Sequence, residues 1–180
     1  FYAWYKPFYK YGIIHGDPHL GNYTVQNNHS INLFDFGCMR VFKGKFIQGV
    51  IDLYFALQQN NMAKAVYAYE QWGFDNITKK KLTVLNKWAN FLYSPLLEDK
   101  VQKIQESDSG VFGAKVAAEV HQELKKLGGV KPPKEFVFMD RAAVGLGSVF
   151  MHLKAEVNWY KIFNSLIENF ETKKMNARQR

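Results

Sequence analysis

Asp17, Asn22 and Asp35 are the residues of this chain best suited to chemistry. All three lie in HGDPHLGNYTVQNNHSINLFDFG, the stretch from His15 to Gly37. Two carboxylates and a carboxamide make an all-oxygen donor set. Hard cations such as Mg²⁺ take such ligands, held by few protein groups and completed by substrate phosphates. His15 and His19 flank Asp17, so zinc needs weighing. Zinc sites draw on further Cys or His, and the chain supplies only His29, His121, His152 and Cys38, none of them nearby in sequence. The pattern therefore reads against zinc. His15 is expected to pack beneath the loop and brace it through its ring nitrogens, and Cys38 to be a small buried hydrophobe.

Something must bring the three donors together. Two short apolar runs, Tyr23–Val25 and Ile31–Phe34, are joined by the turn-rich Gln26–Ser30. This predicts a two-stranded hairpin, Tyr23–Gln26 against Ile31–Phe34, with Asp17, Asn22 and Asp35 at its open end. Ahead of it, the aromatic segment Phe1–Tyr11 reads as the end of a helix, interrupted by Pro7 and closed by Gly12. Its rings are expected in the core.

Behind the hairpin everything reads as helical. Phe46, Val50, Leu53 and Leu57 recur at helical spacing, with Ile47 and Tyr54 alongside. Asp52 on this helix is a candidate brace for the catalytic loop. Asn60–Asn61 breaks the helix, Met62–Trp72 forms the next, and Gly73 closes it. Thr78 is placed as the N-cap of a helix over Lys79–Tyr93. Ser94-Pro95 is taken to open a new segment, Leu96–Gln105, before a loop at Ser107–Gly110. Val111–Leu127 follows, then a helix started by Pro133, in which Gly145 and Gly147 mark a break or close packing. The apolar 3–4 spacing from Leu146 to Phe170 predicts one long amphipathic helix. The division expected is a lobe over 1–172 and a basic tail over 173–180.

Composition narrows the class. With 180 residues, 47% of them hydrophobic, the chain can bury one core. A single cysteine excludes a disulfide scaffold. No signal peptide and no apolar run of about 20 residues is present. Net charge is +8, carried mostly by scattered Lys. No nucleic-acid-binding motif accompanies it, so nucleic acid is not expected as a partner. An anionic membrane surface is compatible with the basic tail. Arg is scarce, which draws notice to Arg40 after the hairpin and Arg141 in an apolar stretch.

The spacing within His15–Gly37 resembles a kinase. His15-Gly16-Asp17, four residues, then Asn22 is similar to the catalytic loop H-R-D-x-x-x-x-N, and Asp35-Phe36-Gly37 to the D-F-G element. Only about ten residues separate Gly37 from the next helix, which leaves no room for an activation segment. Gly16 also replaces the Arg, so protein substrates are disfavoured. HGDPHLGNYTV, LFDFGCMR and PKEFVFMDRAAVGLGSVFMHL together resemble the UbiB/ADCK atypical kinases. In those, H-A-D-P-H-P-G-N precedes D-F-G and a late P-x-E…R segment, matched here by Pro133, Glu135 and Arg141. Gly16 and Leu20 depart from that pattern.

The resemblance implies a mainly α (α+β) kinase-like C-lobe with one small catalytic hairpin. It implies ATP and Mg²⁺ as cofactors, with Asp17 catalytic, Asn22 and Asp35 on the metal, and Asn22, Asp35 and Gly37 on the nucleotide side. The activity implied is a phosphotransferase or ATPase supporting ubiquinone or another isoprenoid quinone. Its place would be peripheral, on the cytoplasmic side of a bacterial inner membrane or an organelle membrane, near quinone-biosynthesis proteins. The family also needs an N-lobe with an Ala-rich loop, a strand Lys with its helix Glu, and K-x-G-Q. These motifs are not found here. The chain is therefore expected to need that lobe as a partner, to be incompetent alone, and to expose its aromatic start at Phe1–Phe8. The opening H-G-D is also similar to aminoglycoside and choline phosphotransferases, which stand as the alternative beside a non-catalytic lipid- or partner-binding module.

Overall fold

The computed structural model describes residues 1–105 and 111–179. The expected loop at Ser107–Gly110 lies outside them. The fold is mainly α, with small two-stranded ladders, as the kinase-like C-lobe reading requires.

Helix α1 (Tyr2–Tyr11) carries Pro7 without a break. Trp4, Tyr5, Phe8 and Tyr9 are buried. The aromatic start is thus core, and the expectation that it forms an exposed face is corrected. Gly12 ends the helix in the left-handed region, φ 75°. A side chain there would strike Phe42 O at 2.5 Å, so glycine is required both by its φ and by the close approach of the backbone.

The hairpin is β2 (Tyr23–Val25) with β3 (Ile31–Leu33), antiparallel, Tyr23 opposite Leu33 and Val25 opposite Ile31. This is the expected pairing, one residue shorter at each strand's end. Two ladders were not anticipated. β1 (Ile13–His15) pairs with β4 (Met39–Val41), and β5 (Gln102–Lys103) with β6 (Glu156–Val157). The first is the more consequential, because it encloses the whole stretch that holds Asp17, Asn22 and Asp35 between two paired strands.

Helix α2 (Gly44–Gln58) runs through the centre of the core, with Ile47, Tyr54 and Leu53 fully buried. It packs on α3 (Met62–Trp72), α4 (Lys79–Leu97) and α8 (Thr172–Arg178). Tyr93 Oη donates to Val50 O at 3.1 Å, tying α4 to it. Pro95 lies inside α4 and does not start a new segment. Pro cannot donate to the carbonyl four residues back. Ser94 Oγ reaches that Phe91 carbonyl instead, at 3.5 Å.

Helix α5 (Val111–Lys126) leans on α4, where Lys87 pairs with Glu123 at 2.7 Å. Helix α6 (Lys134–His152) is continuous through Gly145 and Gly147. The long helix expected over Leu146–Phe170 is broken. It ends at His152, turns through Lys154 at φ 49°, pairs as β6, and restarts as α7 (Trp159–Ile167). Asn158 caps the restart by accepting from Lys161 N at 2.9 Å, and Trp159 Nε1 donates to Gln102 O at 2.8 Å. The apolar spacing ran on through the break; the cap and the ladder decided against one helix. The basic segment 173–180 contributes most of α8, which buries Met175 and sends Gln179 Nε2 to Tyr11 O and Phe42 O.

Candidate active site

His15 organises the site from below. Among the described residues it is the buried polar side chain, 3% exposed. Its Nδ1 accepts from Asp17 N at 3.2 Å, which leaves the proton on Nε2. Nε2 then donates to Asp35 O at 3.0 Å and Phe34 O at 3.2 Å. Trp4 Nε1 holds the His15 carbonyl at 3.0 Å. One imidazole thus ties the backbone of both acidic residues, as its ring nitrogens were expected to do.

Asn22 caps the arrangement from the hairpin side. Its Nδ2 donates to Asp17 O and to Asp17 Oδ2, both at 3.1 Å. Its carbonyl accepts from Phe34 N at 2.7 Å, so the residue before Asp35 is fixed to it. With Nδ2 committed to Asp17, Asn22 Oδ1 is the atom free to bind a cation. Asp35 sits in the left-handed region, φ 52°, an uncommon conformation for a residue other than glycine. Its Oδ1 accepts from Gly37 N at 3.3 Å, and the residue is exposed. The three donors share the hairpin's open end: Asp17 touches Asn22 directly, and Asp35 joins them through His15 and Phe34.

The remaining residues singled out by sequence have plain roles. Gly16 donates to Cys38 O at 2.9 Å, and a Cβ on Gly16 would lie 3.1 Å from that oxygen. Cys38 is half-buried, not the fully buried hydrophobe expected. Arg40 lies over the Phe138 ring at 4.6 Å, a cation–π contact that fastens β4 to α6. Asp52 accepts from Gln48 Nε2 at 2.9 Å, and Gln48 in turn from Thr172. It serves the α2–α8 seam and does not brace the catalytic loop.

A cleft of about 340 Å³ opens beside Asp17, between the loop that carries it and α6. Gly16 to Leu20 form one wall, and Arg141, Gly145, Ser148, Val149 and His152 the other. Gly145 lets the walls meet, since a Cβ there would lie 2.6 Å from Pro18 Cγ. Ser148 and His152 escaped sequence reasoning as site residues. The available signal was their helical spacing from Arg141, one face of α6. A larger, apolar cavity of about 740 Å³ lies among α1, α4, α5 and α6; Arg141, Gly145 and Ser148 line it too, whereas Asp17, Asn22 and Asp35 do not. Among the described residues no three His, Cys, Asp or Glu side chains gather to hold a metal alone. The oxygen set at the hairpin instead suits a cation that brings phosphate ligands with it.

A small helical lobe whose Asp17–Asn22 loop and Asp35-Phe36-Gly37 turn are joined by a hairpin and locked through one buried histidine defines the fold class: a kinase-like C-lobe. Residues 1–69, which hold every donor just described, match the family model of the ABC1 atypical kinase-like domain. This agrees with the resemblance carried by HGDPHLGNYTV and LFDFGCMR. No curated protein matches the chain.

Proposed function

We propose that this chain forms the Mg²⁺ and acceptor side of an ATP-dependent atypical kinase or ATPase of the UbiB type, acting in support of ubiquinone or a related isoprenoid quinone. The observation that carries the reading is the contact of Asn22 with Asp17, with His15 linking both to Asp35, in kinase order along the chain. The ABC1 match over the same residues supports it.

The donor chemistry fits Mg²⁺. Asn22 Oδ1 and the Asp35 carboxylate are the ligands assigned, with Gly37 shaping the turn beside the nucleotide. When bound, Mg²⁺ neutralises phosphate charge, which is most of what phosphoryl transfer asks of a protein. Asn22 holds the Asp17 carboxylate in place. Asp17 takes the proton of an acceptor hydroxyl, or of water, as that oxygen bonds to the γ-phosphorus. The bond to the bridging oxygen breaks, and its electron pair leaves with ADP.

A second lobe is proposed to close over the triphosphate and to supply the Lys–Glu pair. Val25, Phe34, Phe36 and Val41 stand 46–68% exposed around the hairpin, an apolar face such a lobe would cover.

Calorimetry and turnover test the reading. Mg-ATP should bind this chain weakly and turn over negligibly, and gain both when the N-lobe is joined to it. In the joined protein, Asp35→Asn should lose Mg-nucleotide affinity. Asp17→Asn should keep the nucleotide and slow turnover roughly 10²–10⁴-fold, and lower quinone levels in cells. Normal turnover in both variants would refute the assignment.

A further inference from the structure

We propose that Arg141 anchors the oxyanion group, phosphate or carboxylate, of a small hydroxyl-bearing acceptor lying along α6 in the cleft beside Asp17; this rests on the kinase-like reading of Asp17.

The cleft has a side. Asp17 lines it, whereas Asn22, Asp35 and Gly37 do not. A molecule within it therefore meets Asp17 without meeting the residues assigned to metal and nucleotide. That is the position of an acceptor. A volume of about 340 Å³ falls at the lower end of small-molecule pockets.

Its lining is rich in donors. Arg141 makes no hydrogen bond or ion pair among the described residues; it is exposed and lines this cleft as well as the neighbouring apolar cavity. A guanidinium offers a planar fork matched to phosphate and carboxylate. His19 Nδ1 accepts from Gly21 N at 3.1 Å, so this ring carries its proton on Nε2 and can only donate from there while neutral. Ser148 and His152 add a hydroxyl and a second imidazole. Asp17 is the sole carboxylate of the lining.

The helix sets a ruler. Gly145 touches Pro18, the neighbour of Asp17, and Arg141 lies four residues earlier on the same face. At 1.5 Å per residue this separates them by about 6 Å along α6. The acceptor selected carries its charged group about one helical turn from the reacting hydroxyl. Ser148 and His152 lie on the other side of Gly145 and are placed to meet further polar groups.

The test is titration of the chain with inorganic phosphate and, separately, with acetate, following the ring signals of His19 and His152 by NMR. Chloride at matched ionic strength is the control. Saturable shifts with either anion are expected, and which anion binds tells the two sources apart. Arg141→Gln should weaken binding about 10- to 100-fold, the usual loss for a charge-assisted hydrogen bond, and Arg141→Lys less. Ser148→Trp, which fills the cleft from an exposed helical position, should block binding while the circular dichroism stays unchanged. Asp35→Asn should leave anion binding intact. Shifts that chloride reproduces, or that persist in Arg141→Gln, overturn the proposal. So does binding lost in Asp35→Asn, which would put the anion on the metal side. Intact anion binding beside normal turnover of Asp17→Asn would instead remove the kinase reading and leave the anion site standing.

Discussion

Gly145→Ala should separate the stability of the lobe from the geometry of its site. In the interior of a helix, Gly to Ala normally stabilises by about 1 kcal/mol. Here the added Cβ would lie 2.6 Å from Pro18 Cγ and 3.1 Å from Pro18 Cδ. Carbon atoms rest about 3.5–4.0 Å apart, so the walls must part by about 1 Å. The proline ring cannot rotate away. Relief must come from moving the loop or the helix, and overpacking of this kind costs about 1–3 kcal/mol. The net effect is a loss of about 0–2 kcal/mol.

Gly147 is the internal control. It sits two residues on in the same helix, with nothing within 4 Å of its Cβ position. Gly147→Ala should therefore show the helix gain alone, about 0.5–1 kcal/mol. The two variants should differ by roughly 1–3 kcal/mol, or about 2–12 °C in Tm for a chain of this size. Urea unfolding at constant m-value measures it. If the proposed second lobe is joined and the proposed activity measured, a 1 Å shift of the loop carrying Asp17 should cost about 10²-fold in turnover. Pro18→Ala, which removes the clashing atoms, should couple with Gly145→Ala and restore much of the loss. Equal stabilisation by both glycine replacements, with no coupling to Pro18, would refute the contact.

Three further outcomes are expected. His15→Phe keeps a ring but strands the Asp17 N–H and the Asp35 carbonyl, so it should cost at least about 1–3 kcal/mol in unfolding and weaken Mg-nucleotide binding; unchanged stability counts against the bracing role. Burial pushes the Asp140 carboxyl above its ordinary value of 3.8, against the lowering effect of the Trp88 indole, whose Nε1 donates to it at 2.6 Å. The folded state then binds the proton more tightly than the unfolded one, so stability falls as pH rises from 3.8 through the raised value; Asp140→Asn keeps the acceptor and should flatten that slope in pH-dependent unfolding. Lys173, Lys174 and Arg178 on exposed positions of α8 motivate peripheral binding to anionic vesicles, read by flotation; equal, salt-insensitive capture by neutral vesicles would exclude it.

Much of the helical scaffold was legible because its boundaries are written in side chains. Asn61 accepts from Lys64 N and Thr78 from Lys81 N, and Gly73 closes α3 at φ 94°. Each is a local signal: Thr78 reads as a cap and Gly73 as a stop, while Asn60–Asn61 reads as a break and Asn61 proves to be the next helix's cap. The hairpin was legible for the same reason. What escaped was non-local. β1 and β4 are three residues each, too short to alternate visibly, and they pair only because the catalytic stretch folds back between them. Pro95 looked like a helix start because its missing donor is compensated by Ser94, a detail of geometry. The face of α6 toward Asp17 was hidden behind its apolar spacing: Ser148 and His152 read as ordinary helix positions until the loop was seen to lie against them.

No helix among the described residues is long and apolar enough to cross a membrane. The family-matched residues 1–69 hold Asp17, Asn22 and Asp35, yet one whole wall of the cleft comes from residues 141–152. Two contacts clamp that wall to the stretch that holds the donors, Gly145 on Pro18 and Arg40 over Phe138. One fixes the loop before the hairpin, the other the strand after it. On the proposed reading, the chemistry and the choice of acceptor would be set by different parts of the chain, joined at two points. Substitutions at Arg141, Ser148 or His152 can then alter what is recognised while the donor set stays where it is. Changes at Gly145 or Phe138 should move both together.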